Sequence, residues 1–330
     1  MQSVRLGSTG LEVSRLCLGT MTFGAQVNEA EATAILDMAS GSGVNFIDTA
    51  NVYPLGVAHH DKGETERILG RWLKGKRERF ILATKCASPM GPLPWDGGTS
   101  RKHILAAIDS SLYRLQCDYV DLYQLHRDDP NIAIDETLEA LSTIVRSGRA
   151  RYVGVSNFTA WRIARALGRS EALGLVKYVS VQPRYNLLFR EFERELFPMC
   201  QSENLATLCY NPLAGGLLSG KHPDMASPDA LSRFGSGKAA ATYRDRYWHE
   251  REFRAVAEIL SVADEVGIAP ARLAVAWVLA KPWVSCAIIG ATKTDQLHQI
   301  IAAADTVLDA AVLTKLDRIT AKFRLGDSSR

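Results

Sequence analysis

Short apolar runs rich in β-branched residues alternate along this chain with longer segments of helical period. The runs fall at 16–19, 45–48, 80–85, 119–126, 150–157, 178–186, 205–212 and 284–292, and their length and composition predict a strand for each. Helices are expected near 29–42, 64–74, 101–115, 135–147, 160–168, 192–203 and 294–303. In the third of these, Ile104, Ile108, Leu112 and Leu115 share one stripe, as a helix with one buried face requires.

Such alternation demands a parallel sheet, because each crossover helix returns the chain to the same edge. Eight units favour closure over an open, doubly wound sheet. The strand runs are continuous rather than alternating in polarity, and no Ser/Gly/Pro-rich linker divides the chain. The expectation is α/β, a single (β/α)8 TIM barrel domain over residues 1–330. Two segments depart from the repeat. Val4 to Leu6 and Val13 flank the turn Ser8-Thr9-Gly10, which predicts a small hairpin before the first barrel strand. The stretch 220–249 is polar and rich in Gly, Ser, Pro and Arg, which predicts a long loop after the seventh strand. A helix near 250–266 and another from Pro270 to about 280 then precede the last strand. A long loop at that end of a barrel strand sits on the face where barrels do chemistry.

Composition narrows the function classes. With 47% hydrophobic and 23% charged residues the chain can build a large core. Its net charge of +3 comes from 39 basic and 36 acidic residues. They are intermixed, which argues against a nucleic-acid partner and remains compatible with an anionic small molecule. The cysteines, Cys17, Cys86, Cys117, Cys200, Cys209 and Cys286, are scattered without a C-x-x-C pair, and predict reduced thiols in a cytoplasmic protein. The longest uninterrupted apolar stretch, 273–280, is too short for a bilayer, and the N-terminus lacks an apolar leader, so neither membrane nor secretion is expected.

No G-x-G-x-x-G follows a predicted strand, so a Rossmann dinucleotide site has no support. The run from Gly215 to Lys221 matches G-x-x-x-x-G-K, but His222 stands where a P-loop places its magnesium-binding Ser or Thr, which with the barrel pattern argues against an NTPase. The polar residues at strand ends are more telling. Asp48, Lys85 and His126 end the second, third and fourth strands, and Tyr53 follows Asp48 in the loop. All strand C-termini of a parallel barrel share one rim, so these groups converge. Alone, each has a bland reading: a helix cap, a solvated cation, a packed histidine or aromatic. Together they suggest a buried Lys–Asp pair beside a phenol, with the ammonium favouring the phenolate and lowering the pKa of Tyr53. That describes a general acid for a nascent alkoxide.

In this order and spacing, Asp48, Tyr53, Lys85 and His126 resemble the catalytic tetrad of the aldo-keto reductases. The similarity spans essentially the whole chain. It includes Leu18-Gly19-Thr20-Met21-Thr22-Phe23-Gly24, Phe46-Ile47-Asp48-Thr49-Ala50, Asp121-Leu122-Tyr123-Gln124-Leu125-His126-Arg127, Val153-Gly154-Val155-Ser156-Asn157-Phe158 and Ile288-Ile289-Gly290-Ala291. Arg127-Asp128 resembles the bacterial subgroup that also holds the potassium-channel β-subunit-like proteins.

The resemblance implies reduction of an aldehyde or ketone by direct transfer of the 4-pro-R hydride, without a metal. Tyr53 would give the proton, Lys85 held by Asp48 would tune it, and His126 would orient the carbonyl. Gly19, Thr20 and Gly290 would line the cofactor, Ser156, Asn157 and Gln182 would bind the nicotinamide carboxamide, and Tyr210 would stack on its ring. Leu213, Gly215, Leu217, Ser219 and Lys221 would form the phosphate loop, with backbone N–H groups receiving the pyrophosphate. Thr292 and Lys293 would meet the 2′-phosphate, followed by Gln296, so NADPH is expected over NADH. Ile300 replaces an Asn that commonly contacts the adenine, which implies looser adenine recognition. Phe23, Trp95 and Trp248 would join Tyr53 around a small carbonyl substrate, while His59 and His60 face water. A ketoreductase dedicated to a sugar or other metabolite, and a slow NADPH-binding redox sensor with a membrane partner, use the same residues. The oligomeric state, monomer or homo-oligomer, stays open.

Overall fold

Strands packed between a filled interior and a ring of helices must bury both faces. The chain does this by sending alternate side chains inward. In the computed structural model, which describes residues 1–226, 228, 232–235 and 238–329, the barrel strands are β3 (Leu16–Gly19), β4 (Phe46–Asp48), β5 (Ile81–Cys86), β6 (Val120–Leu125), β7 (Ala150–Ser156), β8 (Ser180–Gln182), β9 (Ala206–Tyr210) and β10 (Cys286–Ile289). They close in the order β10-β3-β4-β5-β6-β7-β8-β9, every neighbour parallel. The expected (β/α)8 barrel is therefore the fold.

Cys17, Phe46, Ala83, Leu122, Leu208 and Cys286 fill the interior as one buried cluster. The expected hairpin, β1 (Ser3–Arg5) with β2 (Glu12–Ser14), contributes Leu6 and Val13 to that cluster and plugs the N-terminal end. The other parity, Leu18, Ile47, Leu82, Tyr123, Val155 and Ile289, packs outward against the helices. Among these are α1 (Glu29–Gly41), α2 (Glu64–Leu73), α3 (Arg101–Leu115), α4 (Ile134–Arg146) and α5 (Ala160–Leu173). In α3, Ile104, Ile108 and Leu115 are fully buried, and Leu112 packs at the edge of the same core.

Two residues beyond the apolar interior, the inward series turns polar: Asp48 after Phe46, Lys85 after Ala83, Gln124 after Leu122. Strand pairing sets Gly19 opposite Asp48, Lys85 opposite Gln124, and Ser156 opposite Gln182. Side chains at those registers share the same end of the barrel.

Several boundaries differ from expectation. The run 178–186 yields only Ser180–Gln182, because Pro183 has no N–H to continue the ladder. Helix α5 continues to Leu173, where Gly174 ends it in the left-handed region (φ 63). The stretch read as one long loop contains α7 (Lys238–Tyr247). After α6 (Leu196–Ser202), α8 (Glu250–Val266), α9 (Pro270–Leu279) and α10 (Thr294–Ile301), a further helix, α11 (Ala310–Ile319), was not expected at all. No single helix among the described residues is long and apolar enough to cross a membrane.

Candidate active site

At the C-terminal mouth of the barrel lies a cleft of about 1060 Å3. Its floor is a hydrogen-bonded set of inward-facing polar groups. Lys85 Nζ donates to Asp48 Oδ1 and, at 2.8 Å, to the carbonyl of Thr49. Asp48 Oδ2 accepts from Gln124 Nε2 at 3.1 Å and Gln182 Nε2 at 2.9 Å. The carboxylate thus has three donors, the arrangement that lets a charge stay buried. Lys85 is fully buried and lies beneath Tyr53, its Nζ 5.0 Å from the ring centroid.

Tyr53 is held by its backbone. Thr49 and Asn51 donate to the carbonyls of Ala83 and Lys85, which extends the β5 edge along the loop, and Gly63 N–H donates to the Tyr53 carbonyl. The Tyr53 and His126 rings meet edge to face, 5.7 Å apart. Ser88 Oγ lies 3.3 Å from His126 Nδ1.

Electrostatics correct one expectation. Burial pushes the Tyr53 phenol above its ordinary pKa, Lys85 pulls it down and Asp48 pushes it up again, and the net direction is up. The sequence expectation, that Lys85 lowers this pKa overall, considered the ion but not the depth of the site. Burial alone would lower the Lys85 ammonium, yet Asp48, Tyr53 and the hydrogen bond to Asp48 outweigh it and raise the pKa. Burial, then Lys85 and Arg127, hold His126 well below the usual histidine range, so its ring is neutral. The site carries a protonated phenol, an ammonium hydrogen-bonded to Asp48 and a neutral imidazole.

Ser156, Asn157, Gln182 and Tyr210 line the same cleft. They form one network: Ser156 Oγ donates to the Gln182 carbonyl, Asn157 Nδ2 to the His126 carbonyl and Ser156 Oγ, and Tyr210 Oη to Asn157 Oδ1. Asn157 has φ 59, a left-handed conformation that Asn tolerates. Gly19, Thr20 and Gly290 also line the cleft.

Along the segment after β9, Leu213, Gly215, Ser219 and Lys221 reach the cleft. Leu217 does not: its side chain is fully buried in the core. Gly215 and Gly216 have φ of 73 and 109, so this wall lacks Cβ atoms where the backbone turns into the left-handed region. The expected phosphate nest is largely spent internally, since Gly215 N–H donates to Asn211 Oδ1 and those of Gly216 and Leu218 to the Leu213 carbonyl. Cations stand there instead. Lys221 and Arg233 line this wall, and a Cβ on Gly290 would lie 3.6 Å from an Arg233 nitrogen. Across from them Lys293 precedes α10, while Thr292 N–H and Oγ1 both donate to Gln296 Oε1. Ile300 lines the cleft as expected, almost fully buried.

The aromatic substrate lining is corrected. Phe23 is fully buried in the core, Trp95 is 50% exposed away from the cleft, and Trp248 packs on Phe234 and Phe253 at 4.9 Å. Loop aromatics bury area where they can, and Phe23 and Trp248 found other partners. Met21, Leu55 and Arg127 line the mouth instead. His59 and His60 are exposed and off the cleft. Sequence reasoning missed Gln124, Ser88 and Arg233; only Gln124 left a signal, a polar residue at the inward parity two positions before His126. No cluster able to hold a metal is present among the described residues.

A profile described as the Aldo/keto reductase family matches residues 15–321. A Bacillus subtilis protein named uncharacterized oxidoreductase YrpG is 38% identical over 327 positions, covering 97% of this chain and 96% of its own. Protein tas of Escherichia coli is 37% identical over 343 aligned positions, covering 97% of each chain. A probable voltage-gated potassium channel subunit beta of Arabidopsis thaliana is 37% identical over 326, covering 97% and 96%.

Proposed function

The chain belongs to the aldo/keto reductase family, whose members are nicotinamide-dependent oxidoreductases of small carbonyl compounds, and from that premise we propose that it is a single-domain, NADPH-dependent reductase of an aldehyde or ketone with Tyr53 as proton donor. The observation that carries the reading is the meeting of Asp48, Tyr53, Lys85 and His126 beneath one cleft. All six cysteines are free, which suits a reducing, cytoplasmic setting.

The residues present fit a phosphorylated dinucleotide. The cleft has the volume, a wall stripped of Cβ atoms at Gly215 and Gly216, and cations at Lys221, Arg233 and Lys293. Tyr210, Asn157 and Gln182 would hold the nicotinamide. When bound, NADPH supplies the hydride that the carbonyl carbon accepts. Tyr53, kept protonated by burial, gives its proton to the carbonyl oxygen as negative charge develops, and Lys85 stabilises the phenolate left behind. A Ser88 hydroxyl donating to His126 Nδ1 leaves the ring proton on Nε2, from which the neutral imidazole donates to the same oxygen.

The test is NADPH consumption against a panel of aldehydes and ketones, with quenching of tryptophan fluorescence as the binding readout. Saturable quenching and turnover of at least one carbonyl are expected; no saturable binding of either dinucleotide would remove the cofactor assignment. Lys293→Ala is expected to weaken NADPH about tenfold or more and NADH far less, since it removes a charge-assisted contact to a phosphate that NADH lacks. Equal losses in the two titrations would take Lys293 off the 2′-phosphate.

A further inference from the structure

The cleft wall is electrostatically one-sided. Among the described residues it carries the cations Arg127, Lys221, Arg233, Arg246 and Lys293 and a single carboxylate, Asp48, which Lys85 neutralises. Lys221, Arg233 and Lys293 lie on the segment after β9 and beside α10. Arg127 lies elsewhere. It directly follows His126, on the wall shared with Tyr53 and Ser88.

Among the described residues Arg127 has no counterion. No hydrogen bond or ion pair joins it to any described residue. The adjacent acid, Asp128, is engaged by both forks of Arg162 at 2.9 Å. Asp129 accepts from the Asn131 backbone and sits beside Gly98. The Arg127 charge is felt at the reacting centre, since it helps hold His126 neutral. The mouth beside Tyr53 is soft and apolar: Met21 and Met90 pack on Tyr53, and Leu55, 43% exposed, lines the cleft.

We infer that the carbonyl substrate carries a carboxylate that Arg127 binds, joined to the reacting carbonyl by a short apolar body. The planar guanidinium fork matches a planar carboxylate, and one cation balances one charge. A phosphate ester would call for more cations than Arg127 alone supplies. The inference rests on the reductase reading, and its test separates the two.

The probes are 4-carboxybenzaldehyde and its neutral methyl ester, methyl 4-formylbenzoate, each reduced at saturating NADPH. The wild-type protein is expected to prefer the acid by roughly tenfold in kcat/KM, through KM, and to lose that preference as salt rises. In Arg127→Gln the acid-to-ester ratio should collapse towards one, and Arg127→Lys should restore part of it. A second readout needs no turnover: 4-methylbenzoate titrated calorimetrically into the NADPH-saturated protein should bind, and bind at least about fivefold more weakly to Arg127→Gln. No preference in the wild type, or an unchanged ratio in Arg127→Gln, overturns the inference while leaving the reductase reading intact. If neither aldehyde is reduced with either dinucleotide, the reductase reading is decided by the wider carbonyl panel. The calorimetric difference then decides the Arg127 site on its own, with equal affinities overturning it.

Discussion

Tyr53→Phe is expected to lower the turnover number by at least about 10²-fold while leaving fold and cofactor affinity nearly unchanged. The ring stays: it still packs with Ala50, Val52, Met21 and Met90 and still meets His126 edge to face. Only the oxygen that would give up the proton is gone. A packing role predicts otherwise, because deleting one hydroxyl would change stability by under about 1 kcal/mol and leave the rate almost untouched. The pH dependence sharpens the contrast. Burial raises the Tyr53 pKa, so the acid form persists through neutral pH, and the wild-type reduction rate should fall only as the pH climbs into the alkaline range. That limb should vanish in the variant. Reduction is assayed at saturating NADPH alongside a thermal melt, so that unfolding is not mistaken for lost chemistry. A folded variant that keeps more than roughly a tenth of wild-type turnover would move the proton donor elsewhere, with His126 next in line.

Asp48, Lys85 and His126 were legible because each ends an apolar run, where a charge is conspicuous and the barrel's handedness fixes its destination. Gln124 was legible in principle by the same parity, yet an uncharged residue inside a strand attracts less notice. Arg233 was not legible. It stands in a polar stretch without period, and its position depends on how that segment folds back over the mouth toward Gly290. Helix α7, in that same stretch, escaped for a related reason: its sequence is mostly polar, and among its described side chains those turned to the core are the small Ala240, the partly buried Tyr243 and the terminal Tyr247. The aromatics Phe23, Trp95 and Trp248 were misplaced because side-chain type gives size and polarity but not the direction in which a loop turns it. The direction of the Tyr53 pKa shift was misjudged likewise. Sequence reveals the charged neighbour, whereas depth of burial belongs to the folded protein.

Lys85→Met should combine the largest stability loss with a large rate loss, and the two can be separated. The substitution leaves Asp48, 3% exposed, as a buried carboxylate without its cation, supported only by Gln124 and Gln182. Breaking a buried pair in this way typically removes about 3–5 kcal/mol. Neutralising the abandoned partner should recover much of it, so Lys85→Met with Asp48→Asn is expected to lie well above the single variant in urea denaturation. Turnover should not recover, because the ammonium that would stabilise the Tyr53 phenolate is still missing. The alkaline stability profile supplies an independent sign. The folded Lys85 pKa is raised above its unfolded value, so its stabilisation is fully present below the unfolded pKa of about 10.4 and is lost as the pH rises through the folded one. The wild-type advantage over Lys85→Met should therefore shrink over that alkaline interval and hold constant at neutral pH. A Lys85→Met protein that melts like the wild type would mean the pair contributes little net stability. A double variant that regains turnover would take Lys85 out of the chemistry and leave it a structural counterion for Asp48.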